Sequence, residues 1–281
     1  MKHEPALLET CVDGSSDLTA QQKRILELEK INEQLSHFAW IAAHDLQEPL
    51  RNITSLASLL DQAIATSNSA AIERGTAAIR KAAAGASELV NDILEYSRVS
   101  NGQLALDVLD LREQLQLALD NISQPIRETE ADIGLQVPST PFKADASQFA
   151  RLMQNILSNA IKYRKPGHRP KISISASFSN KKIVLAVADD GIGFEQEFAE
   201  FVFHPFSRLN AKAKYPGSGI GLAICKSICD REGWDISVQS QPGRGTTFFI
   251  TMPALEEDSR TIESEFCSAV KEPRLESDSA S

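Results

Sequence analysis

No stretch of the 281-residue chain approaches the roughly 20 consecutive apolar residues that a membrane span requires. The N-terminus also lacks the basic-then-apolar pattern of a secretory leader, so a cytosolic protein is expected. Positive charge is scarce: 29 Lys and Arg stand against 38 Asp and Glu, a net charge of −9 that suggests no nucleic-acid surface. The four cysteines form no spaced framework. Cys225 and Cys229 sit four apart in an apolar helical pattern and read as core filling rather than a metal or redox pair, while Cys11 and Cys267 lie in polar ends. The histidines show no metal-ligand spacing. His37, His168 and His204 read as surface or packing residues, with His204 close enough to a lysine-bearing loop to reach a phosphate.

What is present is 42% hydrophobic and 24% charged, enough for two modest cores. Residues 1–19 show no periodic pattern and read as a mobile lead-in. From about Ala20 the residues Leu28, Ile31, Leu35, Phe38 and Ala42 step 3-4-3-4, a short coiled-coil seam that asks for a partner helix. That helix continues to about Ala65 with Pro49 interrupting it, and Thr66–Ser69 makes a polar turn. A second helix runs to Ser100, with Ile72, Ile79, Ala83, Ala86, Val90, Ile93 and Tyr96 on its buried side and Asn101-Gly102 as its stop. One such hairpin buries too little, so two should pair into a four-helix bundle.

After Gly102 the pattern changes. Leu104–Leu109, Ile133–Val137, Lys171–Phe178, Lys182–Ala188, Asp235–Gln239 and Thr246–Met252 read as strands, with a hairpin at Ser179-Asn180. Asp110 caps a helix reaching about Glu130, Asp145 caps another over Ala146–Tyr163, and Ile220–Glu232 is a third. A Pro-bounded loop leads to Phe142. Strands with interspersed helices predict a mixed sheet covered on one face, an α/β sandwich over residues 102–253. Residues 254–281 are acidic, poor in apolar residues and read as disordered.

The histidine-bearing stretch is Phe38–Ile53, FAWIAAHDLQEPLRNI. At 100° per residue its apolar stripe (Leu46, Ile53, Leu60) lies on one side and His44 on the other, beside Asp45. Four later stretches combine groups that suit a bound nucleotide. In QNILSNAIKY, Asn155 and Asn159 share a helix face, with Lys162 at i+3; amide oxygens suit Mg²⁺ and an ammonium suits phosphate. In ADDGIGF a strand runs into an acid pair and two glycines, giving a carboxylate for an exocyclic amine beside bare backbone. FVFHPFSRLNAKAKY is an apolar anchor followed by a cover-like loop, and GSGIGL is a glycine-rich turn opening a helix.

With all of these in order over about Leu28–Pro253, the chain resembles the sensor histidine kinases of two-component signalling. AHDLQEPL is similar to their H-box, NILSNAIKY to the N-box, DDGIG and GSGIGL to the two glycine boxes and FHPF to the F-box. HDLQEPLR with a short lid looks like the phytochrome-linked branch. The resemblance implies an α+β chain. Residues 20–101 would form a dimeric four-helix bundle that carries the phosphoacceptor, followed by a Bergerat (GHKL) α/β sandwich that binds ATP and Mg²⁺. It implies His44 as phosphoacceptor, Asn159 as the magnesium-binding asparagine, Lys162 as a phosphate contact and Tyr163 as a residue near the base. Asp189 would bind the adenine amine, and Asn155, Gly191, Gly193, Gly217, Gly219, Gly221 and Leu222 would complete the ATP site. Implied partners are a second copy of the chain and a response-regulator receiver domain. No sensor domain is visible, so the input is expected from a separate sensor protein or through the coiled-coil end.

The chemistry of the residues agrees with those roles. A neutral imidazole attacks through one nitrogen, and Asp45 is placed to accept from the other, as an orienting base. Phosphoryl transfer asks for alignment and charge neutralisation. The segment around Asn101–Leu106 reads as the hinge this needs. ATP-hydrolysing relatives of the fold carry glutamate where this chain has Asn155, and an amide cannot take a proton from water. Glu48 stands four residues after His44, where phosphatase-competent members have Thr or Asn. Gln47 fills an often basic place, and Glu232-Gly233-Trp234 replaces His-Gly-Gly, a change in a turn. A non-catalytic scaffold would need broken nucleotide motifs, and an ATPase of the same fold is opposed by Asn155 and the histidine hairpin.

Overall fold

The chain was analysed as a computed structural model, which describes residues 13–101, 104–209, 215 and 217–255, with side chains from residue 39 except 100 and 101. The seam at residues 28–38, His37 and the acidic tail beyond residue 255 therefore lie outside the described residues or side chains. Two compact units divide at Ser87 and Glu88.

The first unit is a helical hairpin. Helix α1 spans Asp13–Ala65 and begins inside the stretch expected to be unstructured. Extending a formed helix gains one hydrogen bond per residue, which outweighs the weak propensities of Gly14, Ser15 and Ser16. Pro49 does not interrupt it: the helix is assigned continuously through it, although proline has no N–H to return to the carbonyl of Asp45. Thr66–Asn68 turns the chain, with Ser67 left-handed and the Asn68 side chain capping α2 (Ser69–Asn101) through the Ala71 N–H at 3.1 Å. On α2, Ala86 is buried as expected, but Leu89 is buried where Val90 was expected, and Val90 and Ala83 are exposed.

The second unit holds the last turns of α2 and a five-stranded sheet. Its strands are β2 (Asp132–Gln136), β4 (Lys171–Ser179), β5 (Lys182–Asp189), β7 (Gly245–Pro253) and β6 (Asp235–Gln241), in that order, with only β2–β4 parallel. Alternation fixes the covered face: Ile172, Ile174, Ile183, Leu185, Val187, Ile236, Val238, Phe248 and Ile250 are buried. Helices α3 (Leu111–Asn121), α5 (Ala146–Lys162) and α6 (Gly221–Glu232) carry the facing layer, giving the α/β sandwich the sequence predicts. α5 presents Phe149, Leu152, Met153, Ile156, Leu157, Ala160 and Ile161, apolar positions spaced for one broad helix face. Its N-cap Asp145 accepts from the Ser147 and Gln148 N–H groups and, through its second oxygen, from Ala105. Partial burial raises that carboxyl, but these bonds and the Ser147 hydroxyl override it and hold it below its usual value.

Four local expectations are corrected. The single helix to Glu130 is two, α3 and α4 (Ser123–Thr129), because Pro125 cannot donate to the carbonyl of Asn121. The loop before Phe142 contains a strand, β3 (Pro141–Ala144), pairing antiparallel with β1, which is Asp107–Asp110 rather than Leu104–Leu109. The β4–β5 turn is Asn180-Lys181, one residue later, with both residues at positive φ as a two-residue type I′ loop requires. Trp234 is buried against Phe142 and Phe149, at 6.3 and 6.2 Å between centroids, directly after the left-handed C-cap Gly233, so this departure does serve a turn and the core.

Cys225 and Cys229 are buried thiols in α6, and among the described residues no cluster could hold a metal. Burial pushes Cys229 up to about 12 and Cys225 well above its usual value, the behaviour of inert core residues.

Candidate active site

The cleft is built at the carboxyl end of β5. Asp189, its last residue, receives two backbone N–H groups on Oδ1, from Gly191 at 2.8 Å and Thr246 at 3.2 Å. Its Oδ2 takes no hydrogen bond among the described residues. Burial raises this carboxyl to about 6, against the downward pull of the two N–H groups. The next acid behaves oppositely. Asp190 accepts from the Lys171 N–H and from His168 Nε2 at 2.7 Å, and these outweigh partial burial to hold it below its usual value. His168, expected as a surface or packing residue, is thus half-exposed and paired.

A solvent-open cleft of about 590 Å³ lies beside Asp189, lined by Asn159, Tyr163, Gly193 and Leu222 from the expected set. Ile192, Val202 and Phe248 add an apolar wall, and Ser207, Arg208 and Thr246 add polar groups. A flat base with an exocyclic amine fits an apolar slot ending in a lone carboxylate oxygen.

The other expected residues converge without all lining that cleft. A Cβ on Gly217 would sit 2.5 Å from Lys162 Nζ, and one on Gly221 would sit 3.1 Å from Asn155 Oδ1. The glycine-rich turn therefore lies directly against the Lys162 and Asn155 side chains, and Gly217, at φ +147°, holds a backbone conformation that favours glycine. Gly191 packs against the Tyr163 carbonyl, where a Cβ would approach to 2.6 Å. Gly219 has φ +78° and abuts Phe206 and Arg208. The Lys162 ammonium lies 4.7 Å over the Tyr163 ring, and Tyr163 contacts buried Tyr215 at 5.2 Å. Among the described residues Asn155 Nδ2 is buried without a partner, an orphaned donor beside the start of α6. Ser218, between two of the glycines, donates to Asp92 Oδ2 at 2.5 Å, and Arg151 reaches Asp92 at 3.4 Å.

Arg208 is a residue that sequence reasoning missed. Its guanidinium donates to the carbonyls of Gly217 and, at 2.8 Å, Tyr215, tying the stretch after the apolar anchor to the second glycine turn. An arginine directly after FHPFS was the available signal. Thr246 carried none, because only strand pairing opposite Asp189 brings its N–H there. His204 does not line the cleft; its ring stands 5.9 Å from Phe201.

Gly193 carries a sharper consequence. It has φ +59°, and a Cβ there would overlap the Gln241 carbonyl and come within 2.9 Å of Gly245 O. Gly193→Ala should therefore displace the β6–β7 turn, costing about 3 kcal/mol and lowering Tm by about 10 °C. Thermal unfolding followed by circular dichroism checks this.

His44 and Asp45 belong to the first unit. The His44 side chain is 61% exposed, with Nδ1 3.3 Å from Asp45 Oδ1. A carboxylate only accepts, so the neutral ring that makes this bond has its hydrogen on Nδ1 and its lone pair on Nε2.

Residues 144–256 match the family described as histidine kinase-, DNA gyrase B-, and HSP90-like ATPase. Cyanobacterial phytochrome A of Nostoc is 35% identical over 227 residues, 81% of this chain and 29% of that protein. Sensor protein KdpD of Escherichia coli is 32% identical over 213 residues, 75% of this chain and 23% of that one. The chain thus spans less than a third of the length of these curated relatives. Among solved structures, histidine kinase AdeS of Acinetobacter baumannii gives a TM-score of 0.57 at 21% identity over 75% of this chain and 98% of that one. Histidine kinase ThkA in complex with response regulator protein TrrA gives 0.59 at 18% identity, over 89% and 68%. These two likenesses speak to the fold.

Proposed function

Because the chain belongs to the sensor histidine kinases and carries an ATP-binding domain of the GHKL type, we propose that it transfers the terminal phosphoryl group of ATP to His44. From there the group passes to an aspartate of a response-regulator receiver domain. The observation that carries the first step is the exposed His44 ring, with Nδ1 engaged by Asp45 and Nε2 left available.

Each residue's part follows from its chemistry. The Asp189 Oδ2 takes the adenine amine, and the apolar wall of Ile192, Val202 and Phe248 excludes water around the base. Asn159 and Asn155 carry neutral amide oxygens of the kind that suit Mg²⁺; Asn159 would hold the ion, which would neutralise phosphate charge when bound. Lys162 and the N-terminal turn of α6 face the phosphates. Asp45 holds the Nδ1 proton and stabilises the positive ring as Nε2 attacks.

The partner reading is a homodimer, supported by apolar Leu50, Leu59 and Ile64 left exposed on the hairpin. No described helix is long and apolar enough to cross a membrane, which supports a cytoplasmic placement of this part of the protein.

The test is incubation with ATP labelled in its terminal phosphate, with Mg²⁺. Protein-bound label that is labile to acid and stable to alkali supports the reading; steady phosphate release without labelled protein would replace it with an ATPase. Glu48, an acceptor only when ionised, opposes water-driven dephosphorylation of a partner beside His44. Glu48→Thr should raise the dephosphorylation rate of a phosphorylated receiver domain by about tenfold, the worth of one neutral hydrogen bond of about 1.4 kcal/mol that orients the attacking water. An unchanged rate, or an already active parent, sinks that idea.

A further inference from the structure

Trp40 stands one helical turn before His44, and at 100° per residue the two differ by only about 40° in direction. Their rings stack, with centroids 5.8 Å apart and planes 20° from parallel. The indole is 67% exposed in the single chain, so packing within the chain does not explain so large an apolar group there. We propose that Trp40 is a positioning residue for phosphorylation of His44, an inference that rests on the kinase reading above.

Two restraints then act on the ring from different directions. Asp45 bonds its edge at Nδ1, which resists rotation about the ring's own axis, while Trp40 lies along its face and resists tilting. Nε2 takes no hydrogen bond among the described residues.

The stacked indole also has an electronic part. In the transfer, a bond forms from Nε2 to the terminal phosphorus as the bond from phosphorus to the bridging oxygen breaks. ADP leaves with that electron pair. No proton needs to leave Nε2, which carried none, and Nδ1 keeps its own, so the ring itself becomes positive. A cation within about 6 Å of an indole face is attracted by the ring quadrupole, and tryptophan is the best of the aromatic residues at this. Trp40 therefore favours the phosphorylated, charged ring over the neutral one.

The experiment uses the full chain with Trp40→Leu and Trp40→Phe, measuring autophosphorylation at several ATP concentrations. For Trp40→Leu, kcat should fall about fivefold with KM for ATP unchanged, the size of an exposed cation–π contact. Trp40→Phe should recover to within about twofold of the parent, because a ring face is restored. The equilibrium between labelled protein plus ADP and free protein plus ATP should shift toward ATP in the leucine variant by a similar factor. The fluorescence difference between the parent and Trp40→Phe isolates the indole's emission, which should change on phosphorylation and revert when ADP is added.

Unchanged kcat in Trp40→Leu overturns the proposal, as does a change confined to KM or a phenylalanine variant no better than leucine. Normal autophosphorylation with lost transfer to a receiver domain would make Trp40 a docking residue and also overturn it. If Trp40→Leu fails to fold, the phenylalanine variant and the fluorescence response decide alone. An unlabelled parent would sink the kinase reading itself, a result distinguishable from a labelled parent with an indifferent Trp40.

Discussion

His44→Gln should abolish labelling by ATP, a loss of about a hundredfold or more, while binding of adenosine is unchanged. Glutamine is close to histidine in reach and polarity, but its amide nitrogen has no available lone pair and forms no stable phosphoryl bond. The substitution falls on an exposed face of α1 away from the Leu46, Ile53 and Leu60 stripe, so stability should move by less than about 0.5 kcal/mol. Measuring label after gel separation, with adenosine binding followed by NMR on the same preparation, separates the two readouts. Residual label at parental level would show that another side chain is the acceptor. Label lost together with adenosine binding would mean that the substitution had acted on folding instead of chemistry.

That the outward position of His44 and the convergence of the cleft residues were both legible beforehand has a physical cause. Residues whose chemistry depends on local order along the chain, such as Asn155, Asn159 and Lys162 on one helix face or Asp189 ahead of two glycines, announce themselves in a linear pattern. The sandwich was legible for the same reason, since β4, β5 and α5 have clean periods of two and 3.6. What escaped depends on pairing between distant segments. Thr246 reaches Asp189 only through the β5–β7 register, and Arg208 matters only because Tyr215 and Gly217 turn their carbonyls toward it. The short β3 was hidden by Pro141 at its first residue, and the α3–α4 break by reading periodicity across Pro125. The reverse error occurred at Pro49, where a proline was credited with interrupting a helix that runs through it unbroken from Asp13 to Ala65.

Asp189→Asn carries the second large expectation: affinity for adenosine should fall by about a hundredfold, from a donor placed against a donor in a desolvated site. The asparagine keeps Oδ1 for the Gly191 and Thr246 N–H groups, so the turn is preserved, while Nδ2 replaces the one oxygen left for the ligand. The same carboxyl makes a separable prediction about pH. Burial raises it from 3.8 to about 6, so between these values the folded state holds a proton that the unfolded state has lost. Stability contributed by this group is then complete below about pH 4 and is lost as pH rises through about 6, up to about 3 kcal/mol for a shift of about two units. The neutral asparagine escapes that loss. Thermal unfolding should therefore find Asp189→Asn more stable than the parent at pH 8 and no more stable at pH 4. Adenosine carries no phosphate to titrate, so its affinity for the parent should drop as pH falls below about 6, where the Oδ2 acceptor gains a proton, and should stay low and flat in the variant. A variant that binds adenosine as the parent does would remove Asp189 from the base-recognition role. A variant destabilised at pH 8 would show instead that the ionised carboxylate is needed to hold the turn.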